Sequence, residues 1–222
     1  MTFLQTYTRF LYLIGESDIT TISAIHKSHI NAIIKDICNA YPFSWNLKTA
    51  DLTLSSGTAD LPADYNANFH LRDARISVSS TNDDSIFTEI PIEKRDAYTT
   101  DDYVFWITYD TSTETYIFNT PTQSGTVTIY YNFVPADLTS DADVCVVPDG
   151  EAVAYGAASK NWIGDERNTG LKNEYEQESV ARITAMQAKD LVYGGQYSVN
   201  SAVSMNPALS GGSDDGLRIA KP

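Results

Sequence analysis

Two histidines three residues apart, His26 and His29, lie in an isoleucine-rich stretch of helical period and would share one face of that helix. That spacing can bring two imidazoles to one metal ion. A zinc site needs further ligands, however, and the glutamate and i+4 partner of an HExxH helix are missing, with His70 the only other histidine. The pair reads as helix-surface or interface histidines. The carboxylate doublets Asp83-Asp84, Asp101-Asp102 and Asp214-Asp215 raise hydrolysis or a divalent cation as possible chemistry. Adjacent residues of a strand face opposite ways, so such doublets read instead as loop solvation and guards on strand edges. GGSDDG, residues 211–216, lacks the alternating oxygen ligands and closing glutamate of a calcium loop. Cys38 and Cys145 have no CxxC or Cys/His spacing and are expected to be buried free thiols of a protein assembled in a reducing cytosol. No P-loop, GxGxxG, Gly-x-Ser-x-Gly elbow or Cys/His nucleophile occurs. No catalytic residue, metal ligand or cofactor is therefore assigned, and the chain is expected not to be an enzyme.

Aromatic side chains are the remaining candidates for recognition. The pentapeptide YPFSW, residues 41–45, carries three rings at the end of a helical pattern. Exposed rings stack bases or grip ligands, whereas buried ones pin two structural units together. Pro42 stops the helix, and Lys48 alone does not make a basic stacking platform, so Pro42, Phe43 and Trp45 are read as a joint between two units. A second group, Tyr103, Trp106, Tyr109 and Tyr116, lies in β-rich sequence and could present rings to carbohydrate or a receptor.

The charge pattern narrows the partners. The 222 residues carry 15 Lys+Arg and 29 Asp+Glu, a net charge of -14, and residues 51–150 hold 4 and 17 of these. Such a surface repels phosphate, so tight nucleic-acid binding through counterion release is disfavoured. No run of about 18 apolar residues is present, so no membrane span is expected. MTFLQTYTRFLYLIGESD lacks the basic lead-in and small-residue cleavage site of a secretory signal and reads as an amphipathic helix.

The positioning elements follow from periodicity. Phe3, Leu4, Tyr7, Phe10, Leu11 and Ile14 predict a first helix closed by Gly15. Ile22, Ile25, Ile30, Ile33, Ile34 and Ile37 predict a second from about 18 to 40, capped by Ser17 or Asp18. From about 50 to 135 short β-branched and aromatic runs alternate with turn residues and predict strands, with TYIFNTPTQSGTVTIYY as the clearest hairpin. EAVAYGAASKNWIG predicts a closely packed helix capped by Asp149, and Leu171, Tyr175, Ile183 and Met186 mark a fourth over about 168–192. The expected fold is α+β: a helical bundle from residues 1–48 and 149–195, an inserted antiparallel β module over 49–148, and an extended C-terminal arm, 196–222. The arm is rich in Gly, Ser and Asn and cannot build a core, so it is expected to meet a partner surface through Val203, Met205, Leu209, Leu217 and Ile219, with Arg218 and Lys221 free to pair.

The order of these pieces resembles the head-to-tail adaptor, or connector, proteins of tailed bacteriophages. It runs from ITTISAIHKSHINAIIKDI and SWNLKTADLTL through SGTADLPADY and IFTEIPIEKRDAY to TYIFNTPTQSGTVTIYYNFVPADLTSDADVCVVPDGEAVAYGAASKNW. The resemblance covers residues 1–192 and is carried most by LPADY, TYIFNTP, VTIYYNFVPADLTSDAD and VPDGEAVAYGAA; the arm departs from it. It implies a structural virion protein at the neck, forming a ring, usually a dodecamer, between the portal protein and the tail, stopper or nozzle. Genomic DNA would pass through without specific binding.

Overall fold

The computed structural model describes residues 1–16, 23–77, 84–99, 101–121, 123–162 and 168–194. Helix α1 (Phe3–Leu13) starts at a reciprocal cap in which Thr2 Oγ1 accepts the Gln5 N–H and Gln5 Oε1 accepts the Thr2 N–H. It ends before Gly15, whose φ of 78° lets the Glu16 N–H fold back to Leu11 O at 3.0 Å. Helix α2 (Ala24–Ala40) is capped by Ser23 and not by Ser17 or Asp18, which fall outside the described residues. The Ser23 hydroxyl accepts the His26 N–H, and Tyr41 leaves the helix in extended conformation ahead of Pro42.

Helix α3 (Gly150–Asn161) is the axis of the bundle. Asp149 caps it as predicted, its carboxylate accepting the Glu151 and Ala152 N–H groups. Its alanines and glycines are buried on nearly every side, because α1, α2 and helix α4 (Thr169–Gly194) all pack against it. Small side chains make this possible. A Cβ at Gly156 would stand 3.0 Å from Ile33 Cγ2 and from Ser179 Oγ. Phe3, Phe10, Leu11, Ile30, Ile34 and Met186 complete the bundle core. Leu171, expected on the inner stripe of α4, is 40% exposed, since the packed face begins nearer Tyr175.

Between α2 and α3 lies the β module. Strands β1 (Leu47–Leu54), β8 (Gly125–Asn132), β3 (Asp73–Ser77) and β4 (Asp84–Ile86) form one sheet in that order. Strands β2 (Thr58–Asp60), β7 (Thr115–Asn119), β6 (Val104–Asp110) and β5 (Thr88–Glu89) form the other. Leu52, Leu54, Val127 and Ile129 from the first sheet meet Phe105 and Phe118 from the second in a separate core.

Two expectations are corrected. TYIFNTPTQSGTVTIYY is not a hairpin: β7 pairs with β6 and β2, and β8 with β1 and β3. Pro121 cannot donate to a ladder, and the crossing segment hooks onto Gly57, which accepts the Thr120 N–H at 2.7 Å and donates to Gln123 O at 2.8 Å. The hairpin partner of β7 is β6, through the turn at 111–114 where Glu114 has a φ of 55°. Nor is the module wholly antiparallel, because β5 runs parallel to β6. This follows from one segment serving both sheets: the Phe87 N–H bonds Ala74 O, while the next N–H, of Thr88, bonds Tyr103 O. The sheets are also joined at β1 and β2 by the turn at Ser56 and Gly57, both of positive φ.

Candidate functional site

One set of polar side chains converges where the two cores meet. Phe43 is fully buried, stacks on Trp45 at 4.7 Å between centroids, and meets Tyr41 edge-on at the same separation. It packs with the bundle core, and Trp45 packs against that cluster while partly buried. Pro42 contributes its carbonyl, which accepts from the Arg72 guanidinium at the start of β3.

Three buried asparagines tie this segment to the β module. Asn132, the last residue of β8, donates from its side chain to Phe43 O at 3.0 Å and to Asn46 O at 3.1 Å. Asn46 donates from its side-chain amide to Phe133 O at 3.0 Å, and its backbone carbonyl accepts the Phe133 N–H. Asn66 donates its backbone N–H to Asn132 O and its side-chain amide to Asn39 Oδ1 at 2.9 Å. From the other side, the Asp190 carboxylate near the end of α4 accepts the Ser44 N–H at 3.0 Å and the Ser44 hydroxyl. None of these four residues was singled out from sequence. Asparagine is common in loops, and only burial distinguishes these three: each is at most 2% exposed.

A second network surrounds the start of α3. Arg182 on α4 reaches Asp149 at 3.2 Å, Glu151 at 3.1 Å and Glu178 at 2.8 Å, while Arg9 on α1 reaches Glu151 at 3.4 Å. Both guanidiniums lie over the Tyr155 ring, at 5.6 and 5.5 Å from its centroid. Three helices are thus held by alternating charge around one ring.

The candidates for chemistry are scattered. His26 packs edge-on to Phe10, and burial, with His26 and Lys160 nearby, pushes the pKa of His29 down. His70 sits on the β module with its Nδ1 2.9 Å from Glu89. Asp102 closes a turn by accepting the Thr99 N–H and hydroxyl. Asp83, Asp214 and Asp215 fall outside the described residues. Among the described residues no group of three or more His, Cys, Asp or Glu is placed to hold a metal ion, and no helix is long and apolar enough to cross a membrane. Both cysteines are free and buried, and burial with Cys145 nearby pushes the Cys38 thiol up to about 12.

The four rings of β6 and β7 do not form one platform. Tyr109 and Tyr116 face each other across the strands at 4.9 Å, and Tyr116 leans on Tyr65 at 5.6 Å. Tyr103 packs edge-on against Phe87. Trp106 follows Phe105, which is buried, and by strand alternation points to the opposite face. A depression of about 170 Å³ beside Tyr116, lined also by Asn68, His70 and Glu89, is smaller than the roughly 300–1,000 Å³ of small-molecule sites.

Val203, Met205, Leu209, Leu217, Arg218, Ile219 and Lys221 lie outside the described residues. Compared with known proteins, residues 1–201 match the family model described as SU10 adaptor protein. No curated protein matches.

Proposed function

This chain belongs to the SU10 adaptor protein family, a family of phage head-to-tail adaptors, and from that premise we propose that it forms a ring beneath the portal, joins capsid to tail, and leaves a passage for DNA. The observation that carries the reading is the extent of the match. It spans both the helical bundle and the β module, so the two units belong to one adaptor body. The buried joint at Phe43, Trp45 and Asn132 supports it further, because a link that transmits force needs its units held at a fixed angle.

In this reading Pro42, Phe43 and Trp45 are the joint, and the energy of the protein's work lies in repeated subunit interfaces. The ring is most simply a dodecamer of identical copies. The arm, 196–222, reaches a portal or neighbouring subunit through Leu209, Leu217 and Ile219, with Arg218 meeting acidic or backbone groups. The carboxylate-rich β module suits a conduit that lets DNA slide, since it offers phosphate no basic stripe. Assembly takes place in the host cytoplasm and the product resides in the virion neck.

Particles produced without this protein test the proposal. They are expected to carry filled or emptied heads lacking tails, and a purified mixture with portal is expected to give a ring bound to it by electron microscopy. Normally tailed particles in its absence would overturn the reading. Carbohydrate or receptor binding by the aromatic strands is the second reading; Tyr109, 50% exposed, and its neighbour Tyr116 favour it. Binding of glycans that disappears in Tyr109→Ala and Tyr116→Ala would support that alternative.

A further inference from the structure

Strand β1 is eight residues long and, among the described residues, pairs with β8 alone. Its other edge therefore offers a row of backbone donors and acceptors, which folded proteins ordinarily cover or guard. Its side chains alternate, with Ala50, Leu52 and Leu54 on the inner face, Lys48 at the exposed end of that same face, and Thr49, Asp51 and Thr53 exposed on the other. An added strand would need the same alternation, small polar residues on one side and apolar ones on the other.

The C-terminal sequence supplies such a strand. In QYSVNSAVSM, residues 196–205, Tyr197, Val199, Val203 and Met205 alternate with Ser198, Asn200 and Ser204, with only small residues at 201 and 202. This is a period of two, the pattern of a half-buried strand. Its length also matches β1. The position of its root fits as well, because Asp190 on the last turns of α4 bonds the Ser44 N–H three residues before β1 begins. Only residues 195 and 196 separate the end of α4 from the patterned segment.

We propose that residues 197–205 add to the open edge of β1 in the same chain, running parallel to it. The direction follows from the root: a segment starting beside the beginning of β1, with no linker to spare, must run the way β1 runs. Tyr197, Val199, Val203 and Met205 would extend the inner face beside Leu52 and Leu54, and Ser198, Asn200 and Ser204 the outer face beside Asp51 and Thr53. Tethering favours the chain's own strand over a neighbour's, since both ends of the contact are held together by the fold. The inference does not rest on the adaptor reading. It takes Val203 and Met205 for the β module and leaves Leu209, Leu217, Arg218 and Ile219 for a partner.

Hydrogen exchange on the isolated full-length protein tests it without portal or tail. Half of the β1 amides are bonded by β8, so slow exchange at every amide of Leu47–Leu54 requires a second neighbour. Val199→Pro with Val203→Pro removes two donors and cannot enter a paired strand. The alternate β1 amides are expected to be protected in the native chain and to exchange at least about tenfold faster in the double variant. Fast exchange of those amides in the native chain, or unchanged protection in the variant, would overturn the proposal. A second measurement separates chains: with Thr49→Cys and Asn200→Cys, a short bismaleimide is expected to link within one chain in a mixture of light- and heavy-isotope protein. Links only between chains would assign the strand to a second copy and overturn the same-chain proposal.

Discussion

The side-chain amide of Asn132 donates to Phe43 O at 3.0 Å across 89 positions of sequence, and so joins the last residue of β8 to the segment that leaves α2. The same amide holds Asn46 O at 3.1 Å. Asn132→Ala removes both bonds at about 0.5–1.5 kcal/mol each, because Phe43 O still accepts the Asn46 N–H and Asn46 O the Phe133 N–H. Thermal unfolding is expected to shift down by roughly 3–10 °C. A shift below about 2 °C would mean that water replaces the amide and the joint is not dry.

Gly156 sits where α3 passes between Ile33 of α2 and Ser179 of α4. Gly156→Ala gains helix propensity of about 1 kcal/mol but forces a Cβ to within 3.0 Å of both. Ser179 already bonds Ala152 O at 2.8 Å and cannot retreat without losing it. Net destabilisation of about 1–2 kcal/mol is expected in denaturant titration, larger for Gly156→Val.

Arg182→Met keeps the packed stem and removes the charge shared by Asp149, Glu151 and Glu178. The guanidinium side chain is 32% exposed, so solvent screening limits the loss to about 1 kcal/mol. That loss is expected to shrink as salt rises, which a comparison of midpoints at low and high ionic strength would read.

His29 contributes a dependence on acidity. Burial, followed by the fields of His26 and Lys160, holds its pKa below the ordinary 6.5. The unfolded chain therefore binds the proton first, and stability is full above pH 6.5 and falls as pH drops toward the folded value. His29→Gln is expected to flatten the decline in melting temperature between pH 7 and pH 5 relative to the native chain. Equal slopes would place the effect elsewhere.

Cys38 and Cys145 should be silent toward a disulfide reagent at pH 8 in the native protein, because both thiols are buried and raised in pKa. Two thiols per chain are expected to react after unfolding. Rapid labelling of the native protein would reveal opening of the bundle near the α2 end.

Much of the fold is legible in local pattern. Helical stripes need only side chains three and four residues apart, so α1, α2 and α4 can be read from spacing, and Asp149 announces α3 because a cap acts within three residues. The all-round burial of α3 is also legible, since Ala and Gly without an apolar stripe suit a helix surrounded by others. Strand partners are another matter. A run such as TYIFN states that it will pair, but the neighbour is chosen by backbone bonds to distant strands, and here Gly57 turns the chain from one sheet to the other.

The sequence by itself determined the α+β class, the order of helices and strands, the Asp149 cap, and the acidity of the β module, because each depends on neighbouring residues or on summed composition. Only the tertiary structure decided that β6 and not β8 is the hairpin partner of β7, that β5 lies parallel to β6, and that the aromatic segment at 41–45 meets three buried asparagines and Asp190. Those outcomes rest on hydrogen bonds between groups as many as 146 positions apart. A short-range pattern carries no record of which distant carbonyl an asparagine will find; burial forces that choice, since an unpaired amide in the interior is costly.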